Sequence, residues 1–522
     1  MVRFARLLVG LLLLVFAAQA VTSMQTKSAT WDETNYFGMG DYLLKHRQWN
    51  VPSSVIHPPL AYYLDSLPLL WEDLDRRVWT YPAGTTRDLA FLGAADVLRG
   101  QSLLSSPLNR DDRLLTRARF MVVLQALLLG FFVYRVGAAL YGVGAGLLAL
   151  TFFTFSPEML SHGAIITPDM TLTVFCFITM ALFRQALVTQ HRRDHILAGV
   201  SLGLALLSKF PAVLLLPVIG IILAFVSLKK QPLSKTNMAL AATSAVGVFL
   251  LGYGFDPRPY LQGLQIQGST PGHWSFLLGE LSSEGWWYYI PVAFVLKTPI
   301  PLLLCLAAAI TMAGITVFRR SIALDDVILW LPVLAFVTFF CIELRSIGLR
   351  YVLPIYPFVF VAAAGAVWRL VRAKYLIAVP VLWYVVTSAT AWPHYLAYFN
   401  AFAGGSANGY RSLVDSNLDW GQDLKGLKQF MDSRGIPRIY LSYFGTDAPE
   451  RYGIAYDWLP SYALRNPNPQ ATTVNIRRKS YVAISVTNLQ GVYMEPKTMF
   501  RWLDTLTPVA QIGHSIFVYY VE

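Results

Sequence analysis

The sequence predicts a mainly α, polytopic membrane protein with about 11 transmembrane helices and a small C-terminal α/β extracytoplasmic domain. Three observations carry that prediction. Apolar runs long enough to span a bilayer, roughly 17–25 residues each, recur along the first ~390 residues. Only 14% of the chain is charged and 55% is hydrophobic, whereas a soluble globular chain is about 25% charged. Beyond residue 392 the pattern changes, and short apolar strands alternate with polar helices.

Taken in order, the expected spans are 5–22, 116–138, 140–156, 170–188, 195–208, 211–228, 237–254, 298–318, 327–343, 351–370 and 375–392. The fifth and sixth are almost one run. Lys209 and Pro211 in "SKFP" break it, because proline ends a helix and a charge resists the middle of a bilayer. The start, "MVRFARLLVGLLLLVFAAQA", has the basic end, apolar middle and A-Q-A of a cleaved signal. Its apolar stretch is also long enough for a short span, and retention is the expectation.

Orientation follows from Lys and Arg. Arg3 and Arg6, Arg135, Arg192 and Arg193, Lys229, Lys230 and Lys235, Arg319 and Arg320, and Arg369, Arg372 and Lys374 occupy alternate connections. The positive-inside rule puts these in the cytoplasm, provided "SKFP" is a turn. The N-terminus is then cytoplasmic and the chain sits in the plasma (inner) membrane. The long connections 23–115, 157–169, 255–297 and 344–350 gather outside with the tail. Long loops on one face mark a site there. The expected domains are therefore 1–392, a membrane domain whose first outer loop is 23–115, and 393–522, a soluble extracytoplasmic domain.

Within that tail, "RIYLSYFG" (438–445), "SYVAISV" (480–486) and "SIFVYYV" (515–521) read as strands, with helices at 421–433 and near 497–505. Asp415, Asp419 and Asp423 in "DSNLDWGQDL" are spaced by four; on one helix they would repel, so one is expected to cap the helix starting near Gly421. Acceptor or cation contact is the other reading. The net charge of +12 does not imply nucleic acid as a partner, because much of the basic excess lies in short loops beside apolar runs. Cys176, Cys305 and Cys341 lie in apolar segments with no CxxC pair, so no disulfide framework or zinc site follows.

Several polar residues fall at outer span boundaries. Asp32 and Glu33 in "WDETNYF" could cap a helix or act as a general base and cation ligand. His57 in "HPPLAYYL" is stiffened by two prolines, and the nearby Tyr62, Tyr63, Trp71 and Trp79 suit a membrane interface. "SPEMLSHGAIITPDM" brings Glu158, His162 and Asp169 to the same face; Asp169 could simply favour a helix N-terminus. Lys209 is costly in that setting unless it meets an anion or reaches the surface. Arg345 and Arg350 in "ELRSIGLRYVLPIYP" offer the planar fork that suits phosphate. Acids with cations at that depth suit group transfer from a lipid phosphate: the cations stabilise the leaving group and an acid activates the nucleophile.

"WDETNYF", "HPPL", "TPDM", "LSKFP" and "LRYVLPIYP", in this order, resemble the lipid-linked glycosyltransferases of the C-type fold. The nearest branches are the protein O-mannosyltransferase-like and aminoarabinose-transferase-like enzymes. The resemblance covers about residues 1–390. It implies a glycosyltransferase that moves a sugar, with inversion, from a polyprenyl-phosphate donor to an extracytoplasmic glycan, lipid or protein acceptor. By the same resemblance Asp32 is the base, Glu33 its supporting acid and Asp169 the second-loop acid. Lys209, Arg345 and Arg350 approach the donor phosphate, and His57 and His162 position loops or substrate. A divalent cation could bridge Asp32, Glu33 and Asp169, a requirement in which relatives differ. The tail departs from the eukaryotic mannosyltransferases, whose trefoil modules are missing from this sequence, and that puts a protein acceptor in doubt. The rival class is a transporter or flippase of lipid-linked sugars. It would keep its polar groups near the midplane and show repeated halves, neither of which is visible.

Overall fold

The computed structural model describes residues 2–47, 49, 55–75, 94–106, 108–109, 112–269, 273–344, 346–462 and 476–522. Every one of the eleven expected spans is helical. Among the described residues, eight helical stretches are long and apolar enough to cross a membrane: Arg3–Gln25, Arg113–Tyr141, Pro168–Thr189, Phe210–Leu228, Ile300–Phe318, Leu324–Glu343, Leu349–Leu370 and Lys374–Ala391. Three expected spans fall short of that standard. Val143–Thr154 has 12 residues and so rises only about 18 Å of the roughly 30 Å needed. Arg192–Leu206 has 15 residues, Asp194 and His195 among them. Lys235–Gly252 has 18 but begins with Lys, Thr and Asn.

The "SKFP" break is a real turn. One helix ends at Leu206, Lys209 is extended, and a 3-10 turn over Phe210–Leu214 leads into the helix Leu215–Leu228. The first helix, α1 (Val2–Gln25), packs inward through Phe16, whose ring lies 4.8 Å from that of Phe153. Phe153 in turn meets Phe360, edge-on, at 6.3 Å. These apolar contacts hold the bundle around the site.

The connection from 23 to 115 carries its own helices: α2 (Trp31–His46), α3 (Leu60–Ser66) and α4 (Ala94–Ser105). α2 starts where it does because Thr30 is extended and the Glu33 carboxylate accepts from the Thr30 backbone N–H at 2.8 Å. It stops at Arg47, which is left-handed with φ 51°. The helix Pro168–Thr189 has proline at its first position and Asp169 in its first turn, both favoured there.

Residues 439–521 build a five-stranded sheet from β1 (Ile439–Ser442), β2 (Tyr456–Trp458), β3 (Ser480–Ser485), β4 (Ala510–Ile512) and β5 (Ile516–Val521), in the spatial order β2-β1-β3-β5-β4. β1 is parallel to β2 and β3. β5 runs antiparallel to β3, with Ser480 opposite Val521, and to β4. The helix Leu424–Arg434 buries Leu424, Leu427 and Met431, spaced to share one face, against Ile439, Leu441, Ile516 and Val518. A 3-10 turn over Arg501–Thr505 stands where a second helix was expected.

The tail is locked into the helical part. The Ser28 N–H donates to the Gln422 carbonyl at 2.9 Å, and the Trp31 N–H to the Trp420 carbonyl at 2.8 Å. Lys27 pairs with Asp423 at 2.6 Å. Asp423 does precede the helix as its cap position, but its carboxylate turns to Lys27 and to the Ser515 hydroxyl, so the expected side-chain cap is not made.

Candidate active site

Four of the expected site residues meet at one place. Arg350 Nη1 donates to Asp32 Oδ2 at 2.6 Å and lies 3.7 Å from Asp169 Oδ2. Lys209 Nζ donates to Asp169 Oδ1 at 2.6 Å. The side chains come from the first turn of α2, the first turn of the helix Pro168–Thr189, the "SKFP" turn and the 3-10 segment Leu349–Ile355. Two carboxylates therefore alternate with two cations. Asp32 retains 21% of its side-chain exposure and Asp169 only 1%, so Asp32 is the acid that a substrate can reach.

Aromatic rings frame the cations. Arg350 lies 4.3 Å from the ring centre of Trp420, and Lys209 lies 4.9 Å from that of Tyr351. Trp420 belongs to the tail, so the tail supplies one wall of the site. Tyr36, one turn after Asp32, is buried and lies 5.8 Å from the ring of His57. Among the described residues, Asp169 Oδ2 and Arg350 Nε are buried without a hydrogen-bond partner. Unsatisfied polar atoms of this kind need an explanation, and a ligand between them is one.

Glu33, adjacent to Asp32 in sequence, has a different set of partners. Its Oε1 accepts from Arg119 Nε at 2.8 Å and the Ile166 amide at 3.0 Å; its Oε2 accepts from Arg119 Nη2 at 2.6 Å and the Thr30 amide at 2.8 Å. Arg119 also donates to the carbonyls of Met24, Lys27 and Ser28. Both oxygens of Glu33 are thus spent, and the residue is fully buried. A cation bridged by Asp32, Glu33 and Asp169 does not fit this arrangement, because the other two acids already hold Arg350 and Lys209. Among the described residues, no group of three His, Cys, Asp or Glu side chains comes together to hold a metal.

His162 is not in the cluster. Its Nε2 is 3.5 Å from Glu158 Oε2, and its ring meets the edge of Trp420 at 6.4 Å. Glu158 also lies 3.3 Å from Lys297, whose ammonium donates to the carbonyls of Leu396 and Asn417. Burial opposes the charge of Glu158, but Lys297 and His162 outweigh it and hold the carboxyl below its usual range. Arg345 lies outside the described residues.

The three tail aspartates have separate partners. Asp415 accepts from the Tyr493 hydroxyl at 2.6 Å and its carboxyl is pushed up to about 6, by burial first. Asp419 accepts from the Thr487 amide at 3.0 Å, and burial pushes it up to about 8. Sequence reasoning missed Arg119, Lys297 and Trp420. The only signal for the first two was a cation at an apolar helix, the signal that was used for Lys209.

Comparison with known proteins finds a partial family match and likenesses of fold. Residues 112–253 match the family described as dolichyl-phosphate-mannose-protein mannosyltransferase. Apo ArnT from Cupriavidus metallidurans is similar over 99% of this chain and 98% of its own, at 14% identity and TM-score 0.50, and this likeness shows the fold. ArnT from the same organism bound to undecaprenyl phosphate aligns over 98% of this chain and 97% of its own, at 13% identity and TM-score 0.49. The apo oligosaccharyltransferase of Archaeoglobus fulgidus aligns over 94% and 71%, at 11% identity and TM-score 0.49. A comparison with curated protein sequences finds no match. The chain is an integral membrane protein of the C-type glycosyltransferase fold, similar to mannosyltransferases and aminoarabinose transferases.

Proposed function

We propose that the protein transfers a sugar from a polyprenyl-phosphate donor to an extracytoplasmic acceptor, with Asp32 as general base. The observation that carries this reading is the alternating cluster of Asp32, Arg350, Asp169 and Lys209, with one acid still open to solvent. Two acids and two cations balance. A phosphodiester entering between Arg350 and Lys209 draws Arg350 away from Asp32, which is then free to take a proton. The acceptor O–H (or N–H) gives that proton to Asp32 as its heteroatom bonds to the anomeric carbon. The bond from that carbon to the phosphate oxygen breaks, and polyprenyl phosphate leaves with the electron pair. Arg350 and Lys209 stabilise the charge that grows on it. Asp169 aims Lys209, and Glu33 with Arg119 positions the start of α2, a structural role in place of the supporting-acid role. No metal step is included.

The positive-inside pattern supports a cluster and tail on the extracytoplasmic face; the reading takes the membrane to be the plasma (inner) membrane, residues 1–392 as the transferase domain and 393–522 as its soluble partner. A cysteine placed at exposed Ser433 should then label with a membrane-impermeant reagent in intact cells, and one at exposed Ser321 should not. The activity test is release of polyprenyl phosphate from a short-chain polyprenyl-phosphate sugar by the purified chain. Sugar movement across vesicles with no bond cleavage would replace this reading with the transporter one.

A further inference from the structure

We infer that the acceptor of this transfer is a sugar ring, held on an aromatic platform built by the tail beside Asp32; the inference rests on the transferase reading above. Trp31, next to Asp32 in the chain, stacks on Phe444 at 5.0 Å with 21° between planes, and on Tyr462 at 5.5 Å with 11°. Tyr493 stacks on Phe444 at 5.7 Å with 11°, and on Tyr462 at 4.7 Å with 25°. Four rings thus share one orientation. Buried aromatic clusters usually mix edge-on and offset contacts, as the rings around Phe153 do.

The origin of the rings matters as much as their geometry. Phe444 follows β1, Tyr462 follows β2, and Tyr493 follows β3 and its short helix Val486–Leu489. These are the three mutually parallel strands of the sheet. Each sends one ring from its carboxyl end to the same stack. The carboxyl ends of parallel strands are where open α/β sheets bind ligands. Phe444 is buried at the base, whereas Tyr462 is 44% exposed and Trp31 and Tyr493 are half-buried. Trp31, Phe444 and Tyr493 pack with Trp420, the ring over Arg350, so the stack adjoins the candidate active site and is most exposed at Tyr462.

A pyranose fits this chemistry. One face of the ring presents C–H bonds, which meet the negative face of an aromatic ring, while its hydroxyls point outward along the edges. The Tyr493 hydroxyl donates to buried Asp415, which anchors the tyrosine ring. Trp31 immediately precedes Asp32 in α2, so a sugar on the stack lies near the proposed base. A serine or threonine of a peptide offers no comparable flat apolar face.

The test uses the full chain in detergent and two readouts. In saturation-transfer NMR, chitotriose and maltotriose are the sugar probes and a Ser/Thr-rich peptide is the competitor class. At least one sugar should receive saturation on its ring C–H protons. Tyr462→Ala and Tyr493→Ala should each weaken that binding about tenfold, the size of one lost ring contact. Tyr493→Phe, which keeps the ring, should stay within about twofold. Because Tyr462 is exposed, its loss tests the platform without endangering the fold. Binding of the peptide but neither sugar, or sugar binding indifferent to both alanine variants, overturns the inference. Release of polyprenyl phosphate is read separately. Sugar binding without release leaves the platform standing and removes the transferase reading; release without sugar binding does the reverse.

Discussion

Asp32 and Glu33 are adjacent, and the chain treats them in opposite ways. Glu33 is sealed, with four donors on two oxygens and no exposure. Among the described residues Asp32 has one hydrogen-bond partner, Arg350, and it remains partly open. A saturated carboxylate is a fastener: its charge is spent on holding a guanidinium and two amides, and it has no lone pair to offer a substrate. A carboxylate with one exchangeable partner can give that partner up. Two adjacent acids thus differ in how many of their hydrogen bonds are committed, and that difference separates the proposed base from its neighbour.

The contrast can be broken experimentally. Asp32→Asn keeps the shape of the side chain and removes its basicity. Transfer should fall about 10²–10⁴-fold, the usual contribution of general acid–base catalysis, while the melting temperature stays near that of the parent. Near-normal turnover would show that the open acid is not the base. Arg119→Met is the mirror experiment. It leaves the Glu33 carboxylate buried without its counter-charge, which costs about 3–5 kcal/mol of stability. A thermal melt should record a large loss, and any fall in activity should follow the loss of folded protein. A stable Arg119→Met chain with dead activity would move Glu33 back among the reacting groups.

Lys209→Met keeps the stem and deletes the charge. A fall of about 10²–10³ in kcat is expected, as when one preorganised donor to a developing anion is removed. Arg350→Lys should also be damaging, since an ammonium cannot reproduce a two-pronged contact. Both effects should appear more in kcat than in donor KM.

The smallest effect concerns pH. Burial raises Asp415 to about 6 and Asp419 to about 8, whereas an unfolded aspartate titrates near 3.9. Between those values the folded chain holds protons that the unfolded chain has released. The contribution of these two groups is therefore fully present below about pH 4 and is lost as pH rises, that of Asp415 by about 6 and that of Asp419 by about 8. Asp419→Asn should flatten the upper part of that decline, read as a shift of a few degrees in melting temperature between pH 6 and 8. An unchanged slope would mean that Asp419 is ionised in the fold.

Much of this was legible in the chain. Asp32, Asp169, Lys209 and Arg350 stand at the ends of apolar runs, where a charge needs a reason, and the run order puts them on one face. The eleven helical positions follow from hydropathy, but three are too short or too polar to span, because helix boundaries depend on turns such as that before Val143. Arg119 was hidden because its partner lies 86 residues away and nothing in local spacing announces the pair. Trp420 carries no local signal, because a tryptophan among three aspartates in "DSNLDWGQDL" reads as a capping segment. The aromatic stack draws on four separate segments, so no periodicity in the sequence could reveal it.

The hydrogen bond from the Trp31 amide to the Trp420 carbonyl also sets an order of events during biosynthesis. Almost 390 residues separate its two ends, which is roughly 20–80 s of ribosome time at 5–20 residues per second. Throughout that interval Asp32, and later Arg350, are already synthesised while the wall that Trp420 provides does not yet exist. A nascent or prematurely terminated chain would carry the charged groups without the ring that packs on Arg350. Only a chain translated beyond residue 420 can assemble the four-residue cluster together with its Trp420 wall.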